Sequence, residues 1–175
     1  MRVVDRQGKV TRRIVLRGGA VAVPAVAAGM MISADAAWAQ GAKNLAPATL
    51  ITLARAARDI YPHDRLADAY YIAAVSGYDS GKPEVRDLMT KGCAVLDAEA
   101  RKRFGKTFIS VVAETDRVAI LTANQDTPFF AKLRSDLVVS LYNQKAVWPK
   151  FGYEGSSADK GGYINRGFND INWVS

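Results

Sequence analysis

The stretch PATLITLARAARDIYPHD, residues 47–64, decides the fold. Leu50, Leu53, Ala54, Ala57, Ile60 and Tyr61 recur at helical spacing and make one apolar stripe, with Arg55, Arg58 and Asp59 off it. Pro47 suits the first helical turn, where its missing amide has no partner to lose. Pro62 ends the helix by disfavouring helical geometry at Tyr61.

Working toward the C-terminus, the same period returns. Asp64 caps a second helix with Leu66, Tyr70, Ala73, Ala74 and Gly77 on one face. Tyr71, Ile72 and Val75 fall outside that face, so this helix is apolar more than half way round. Pro83 opens a third helix facing inward with Val85, Leu88, Met89, Gly92, Leu96 and Phe104, and Gly105 breaks it. The β-branched run Phe108 to Val112 reads as a packed connector, because a lone five-residue strand has nothing to pair with. A short fourth helix covers Asp116 to Ala123. Thr127-Pro128 then supplies a capping hydroxyl and a first-turn proline for a fifth, with Phe130, Leu133, Leu137 and Leu141 inward and an end near Tyr142-Asn143.

Helical periodicity disappears from Gln144 to Ser175. Trp148, Phe151, Tyr153, Tyr163, Phe168 and Trp173 stand among Gly152, Gly155, Gly161, Gly162 and Gly167, a segment too aromatic for a linker and too Gly-rich for a helix. Loops of this length in compact domains are usually binding elements. The expectation is an all-α bundle of about five helices carrying a long, ordered, aromatic and Gly-rich arm over residues 144–175.

Toward the N-terminus, Arg12-Arg13 precede Val15-Leu16 and Arg17, then a Gly/Ala-rich run from Gly18 to Ile32, then Ala37-Trp38-Ala39. Basic, apolar and small-residue regions in this order describe a twin-arginine export signal over residues 1–39, cut after Ala39. Val15 stands where such signals often have Phe, and Arg17 where they often have Lys. The apolar run is short for a membrane span and contains Pro24. Arg12, Arg13, Leu16, Ala37 and Ala39 are thus the export residues, and residues 40–175 form a single periplasmic domain.

More than half of the formal charge of +7 belongs to the leader, through Arg2, Arg6, Lys9, Arg12, Arg13 and Arg17 against Asp5 and Asp35. Arg101-Lys102-Arg103 is the longest basic run after it, which argues against a nucleic-acid partner. The single cysteine, Cys93, excludes an intrachain disulfide, a CxxC pair, a haem attachment and an iron-sulfur set, and it reads as a small buried hydrophobe.

His63 is the one histidine. Beside Asp64 it has the parts of a general base, but no Ser or Cys nucleophile stands in a motif and one His makes no metal set. A histidine hydrogen-bonded within its turn is the reading adopted. No G-x-G-x-x-G follows a strand, the segment from Gly155 to Gly162 lacks a phosphate-loop ending, and there is no G-x-S-x-G elbow. An export signal for folded cargo on a domain without catalytic, cofactor or metal motifs points to a chain that carries a second, cofactor-bearing protein. An independent enzyme using His63, Asp64, Glu154, Asp159 and Arg166, and a membrane-tethered binding module, are the alternatives.

Leu53-Ala54-Arg55 through Ile60-Tyr61-Pro62-His63-Asp64, then Thr127-Pro128-Phe129-Phe130, then Val147-Trp148 with Phe151-Gly152-Tyr153-Glu154-Gly155, and Gly161-Gly162-Tyr163-Ile164-Asn165-Arg166-Gly167-Phe168 together resemble the gluconate 2-dehydrogenase subunit 3 family. The resemblance covers the whole chain after the leader, and the tail block is its most specific part. It implies a non-catalytic small subunit that escorts and stabilises a large subunit similar to glucose-methanol-choline oxidoreductases. That partner would hold FAD and oxidise a sugar, sugar acid or alcohol, with a c-type cytochrome commonly taking the electrons. Trp148, Phe151, Tyr153, Tyr163, Arg166, Phe168 and Trp173 are the expected partner-binding residues.

Overall fold

A computed structural model of the protein describes residues 32, 33 and 36–164. Its described elements are five α-helices and short 3₁₀ turns, with no strand among the described residues: α1 (Pro47–Ile60), α2 (Asp68–Ser76), α3 (Pro83–Phe104), α4 (Glu114–Ala123) and α5 (Pro128–Tyr142). The all-α bundle expected from periodicity is what forms.

Helix α1 lies at the centre and packs against each of the other four helices. Leu53, Ala54, Ala56 and Ala57 are fully enclosed there, and the short alanine side chains let neighbouring helices approach closely. Pro47 occupies the first turn, and Tyr61 leaves helical geometry at φ −126° immediately before Pro62. Asp59, assigned by sequence to the outer face, is instead only 7 % exposed. Arg117 of α4 reaches it with two hydrogen bonds, Nε to Oδ2 at 2.7 Å and Nη2 to Oδ1 at 2.9 Å. The same guanidinium donates from Nη1 to the carbonyls of Val111 and Val112, both at 2.8 Å.

Helix α2 starts later than its sequence suggests, at Asp68 rather than after an Asp64 cap. Its buried residues are Ala69, Tyr71, Ile72, Ala74 and Val75, whereas Ala73 and Gly77 are exposed. A helix apolar nearly all round gives no period to orient by, and tertiary packing chose the Tyr71, Ile72 and Val75 side. Leu66 is buried ahead of the helix.

Helix α3 buries Met89, Gly92, Cys93, Leu96 and Ala100, and ends at Gly105 with Phe104 exposed. Burial pushes the Cys93 thiol well above its usual range, as expected of a packing residue. Gly92 is required by contact: a Cβ built there would stand 2.0 Å from the Phe129 ring of α5. Phe108–Ser110 is a 3₁₀ turn within the expected connector, and Phe108 is fully buried. The Thr127 hydroxyl caps α5 by accepting from the Phe130 amide at 3.3 Å, and Phe129, Leu133, Leu137 and Leu141 form its buried stripe. Phe130, expected inward, is half-buried beside them.

Candidate functional site

The residues that α5 turns away from the core make an exposed apolar surface on the bundle. With Leu133, Leu137 and Leu141 inward, Val138 and Val139 come round to the outer side, and Tyr142, half-buried against the core, flanks them. Val138 is 51 % and Val139 63 % exposed. The chain then reverses at Gln144, whose side-chain Nε2 donates to the Tyr70 carbonyl at 2.9 Å and to the Ser140 carbonyl at 2.8 Å. Val147, fully buried, pins the start of the arm to the core.

From this anchor a 3₁₀ turn, Trp148–Phe151, projects aromatic rings over the end of α5. The Trp148 indole donates from Nε1 to the Tyr142 carbonyl at 2.9 Å. Gly152 at φ 73° reverses the backbone so that the Tyr153 amide donates to the Trp148 carbonyl at 3.0 Å. Tyr153 thereby meets Trp148 edge to face, with ring centroids 5.2 Å apart. Phe151 lies against Tyr142 at 5.8 Å and against the His63 ring at 5.0 Å.

Val138, Val139, Tyr142, Asn143, Trp148, Phe151 and Tyr153 line an open cleft of about 520 Å³. Across Val139 lies a second, of about 380 Å³, bordered by Ala74, Gly77, Tyr78, Ser135, Asp136 and Ser140. Val139 is the ridge between them. The second cleft has a polar floor: the Tyr78 hydroxyl donates to Asp136 Oδ2 at 2.8 Å, and Lys132 Nζ bridges both Asp136 oxygens at 2.9 and 2.8 Å. Burial, then the hydrogen bond and charge of Asp136, hold the Tyr78 hydroxyl far above its usual range, so it stays protonated as a donor.

Of the expected partner-binding residues, Trp148, Phe151 and Tyr153 are brought together here, and Tyr163 is exposed farther along the arm. Arg166, Phe168 and Trp173 lie outside the described residues, as do Arg12, Arg13 and Leu16 of the leader. Ala37 and Ala39 fall in a 3₁₀ turn, Ala37–Gly41, where Ala37 is exposed and Ala39 is 0 % exposed.

His63 bonds across to α5 rather than within its own turn: Nε2 lies 2.6 Å from the Tyr142 hydroxyl. That bond fixes the loop after α1 to the wall of the first cleft. Asp64 is exposed, Glu154 pairs with Lys160 at 2.7 Å, and Asp159 sits in the exposed turn Ala158–Lys160. Among the described residues no group of three His, Cys, Asp or Glu side chains is placed to hold a metal ion, and no helix is long and apolar enough to cross a membrane.

Sequence reasoning missed Val138, Val139 and Tyr142. Their signal was present as apolar residues lying off the Leu133, Leu137, Leu141 stripe, which a reading confined to the inward face passes over. Compared with models of protein families, with curated protein sequences and with solved structures, the chain matches none.

Proposed function

We propose that the chain is the small, non-catalytic subunit of a periplasmic oxidoreductase complex, and that it docks an FAD-dependent dehydrogenase large subunit and escorts it through twin-arginine export. The observation that carries this reading is the Val139 ridge. A valine 63 % exposed, flanked by two clefts and continuous with Val138, Phe151 and Tyr153, is the kind of apolar surface that marks a protein interface. Aromatic anchors held rigid by their own hydrogen bonds, as Trp148 is, bind at low entropic cost. The nature of the partner comes from the resemblance of the Trp148–Tyr153 and Tyr163–Phe168 blocks, and the export role from Arg12-Arg13.

The test is co-expression of the tagged full chain with an FAD-dependent glucose-methanol-choline-type dehydrogenase subunit from the same genome, then co-purification followed by flavin absorbance. Val139→Asp places a charge on the ridge, and Phe151→Ala with Tyr153→Ala removes the rings. Each should lower recovery of the flavoprotein on the order of tenfold or more, as central interface residues do. The melting temperature of the chain itself should stay within a few degrees, because all three side chains are exposed. A monodisperse monomer that captures no flavoprotein on co-expression would refute the proposal.

A further inference from the structure

The peptide bond expected to be cut in the leader, Ala39–Gln40, lies in a segment that the folded domain fastens on both sides. On the N-terminal side the Ile32 amide donates to Asp68 Oδ2 at 2.9 Å, and its carbonyl accepts from Arg55 Nη2. Asp68 is held in turn by Arg58 at 3.1 Å. On the C-terminal side the amides of Lys43, Asn44 and Leu45 converge on the Asp79 carboxylate at 3.0, 2.8 and 2.8 Å, and the Asn44 side chain donates to the Asp79 carbonyl at 2.8 Å. Between these clamps Ile32, Ala36, Ala39 and Leu45 join the hydrophobic core.

A peptidase requires several residues in extended form around the bond it cuts, and native chains yield where local opening supplies them. Here the Ala39 side chain is inside the core and its carbonyl accepts from the Ala42 amide at 3.1 Å. We infer that folding closes the Ala39–Gln40 bond to the leader peptidase, so that Ile32 and Ala36–Ala39 stay packed on the exported domain as structural parts of it. The inference rests on the proposed reading of residues 1–39 as a leader for folded export: a chain that crosses folded meets the peptidase with these residues already in place. The N-terminus of the exported protein then lies at or before Ile32, whether the leader is kept or cut upstream.

Two measurements test this. The full-length chain is digested with elastase, which cuts after small residues, under native conditions, and new N-termini are read by mass spectrometry. A start at Gln40 should appear more slowly, by on the order of tenfold or more, than from a synthetic peptide of residues 32–45, and the double variant Asp68→Ala/Asp79→Ala should lose most of that protection. Equal rates from folded chain and peptide would overturn the inference whatever the variant does. In the exported protein, an N-terminus at or before Ile32 supports it, and one anywhere from Ser33 to Gln40 overturns it. Changing Arg12-Arg13 to Lys-Lys abolishes export if the leader reading holds, yet leaves elastase protection unaltered, so failure of the leader and failure of the protection are separately visible.

Discussion

Asp59 shows how far one residue's surroundings can depart from its sequence neighbours. Burial pushes its carboxyl above the usual range, while the two-pronged contact from Arg117 pulls the other way and raises the guanidinium's own pKa. Breaking such a pair from one side leaves an uncompensated buried charge, whereas replacing both sides with apolar groups removes the desolvation cost as well. Asp59→Ala should therefore destabilise the domain by about 3–5 kcal/mol, and Asp59→Leu with Arg117→Met should recover part of that loss but stay below wild type, because the Val111 and Val112 carbonyls lose their Arg117 donor. Urea unfolding measures both, and a loss for Asp59→Ala below about 1 kcal/mol, the scale of an exposed pair, would contradict the buried assignment. Asp79 is the opposite case. Three backbone amides, those of Lys43, Leu45 and Asn44, hold its carboxyl below the ordinary value of 3.8. A folded pKa depressed below the unfolded one contributes stability that is complete above the unfolded value and fades as pH falls through the folded value. The clamp on residues 43–45 should consequently persist at neutral pH and loosen in acid below about pH 4. An NMR titration of the Asp79 carboxyl checks this, and an inflection at or above 3.8 would show that the amides do not hold it.

Among elements, the contact of α3 with α5 turns on one missing side chain. Gly92 sits within a 22-residue helix, where alanine would ordinarily add about 1 kcal/mol of stability. Yet the Cβ would stand 2.0 Å from a buried aromatic ring that has no free end to swing aside, and overpacking of that kind costs about 1–3 kcal/mol. The clash should win: Gly92→Ala destabilises, and Phe129→Leu in the same chain recovers part of the loss. A Gly92→Ala variant more stable than wild type would mean that α3 and α5 pack with more slack than this geometry allows. The boundaries of α1, α3 and α5 were legible because proline, glycine and a capping threonine mark them and one apolar stripe orients each helix. The inward face of α2 was not, because Tyr70 to Val75 offers no polar side to set against an apolar one. Asp59 was misplaced for a different reason: its partner is 58 residues away, and periodicity within a helix carries no information about a neighbour. The same limit applies to the site. Trp148, Phe151 and Tyr153 stood out as aromatics in a Gly-rich segment, but the Val139 ridge depends on how α5 lies against the arm, and the Asp68 and Asp79 clamps bind backbone amides that leave no trace in side-chain pattern.

At the scale of the molecule, the leader and the docking ridge are separate parts of the sequence that the proposed escort role requires to act together. Arg12-Arg13 would engage the export machinery, and the face around Val139 would hold a partner with no signal of its own. If both ends belong to one device, their failures should differ in kind. Lys-Lys in place of Arg12-Arg13 should leave the chain and the flavoprotein together in the cytoplasm, still bound to one another. Val139→Asp should send this chain to the periplasm alone and strand the flavoprotein behind it. Fractionation with quantitative immunoblotting of both proteins reads the two outcomes side by side. A flavoprotein that reaches the periplasm with the Lys-Lys chain would break the link to the leader. One that travels normally with Val139→Asp would move the docking surface away from α5. Only the crossed result, co-retention in the first variant and separation in the second, ties the exposed ridge to the passenger and the arginine pair to its route.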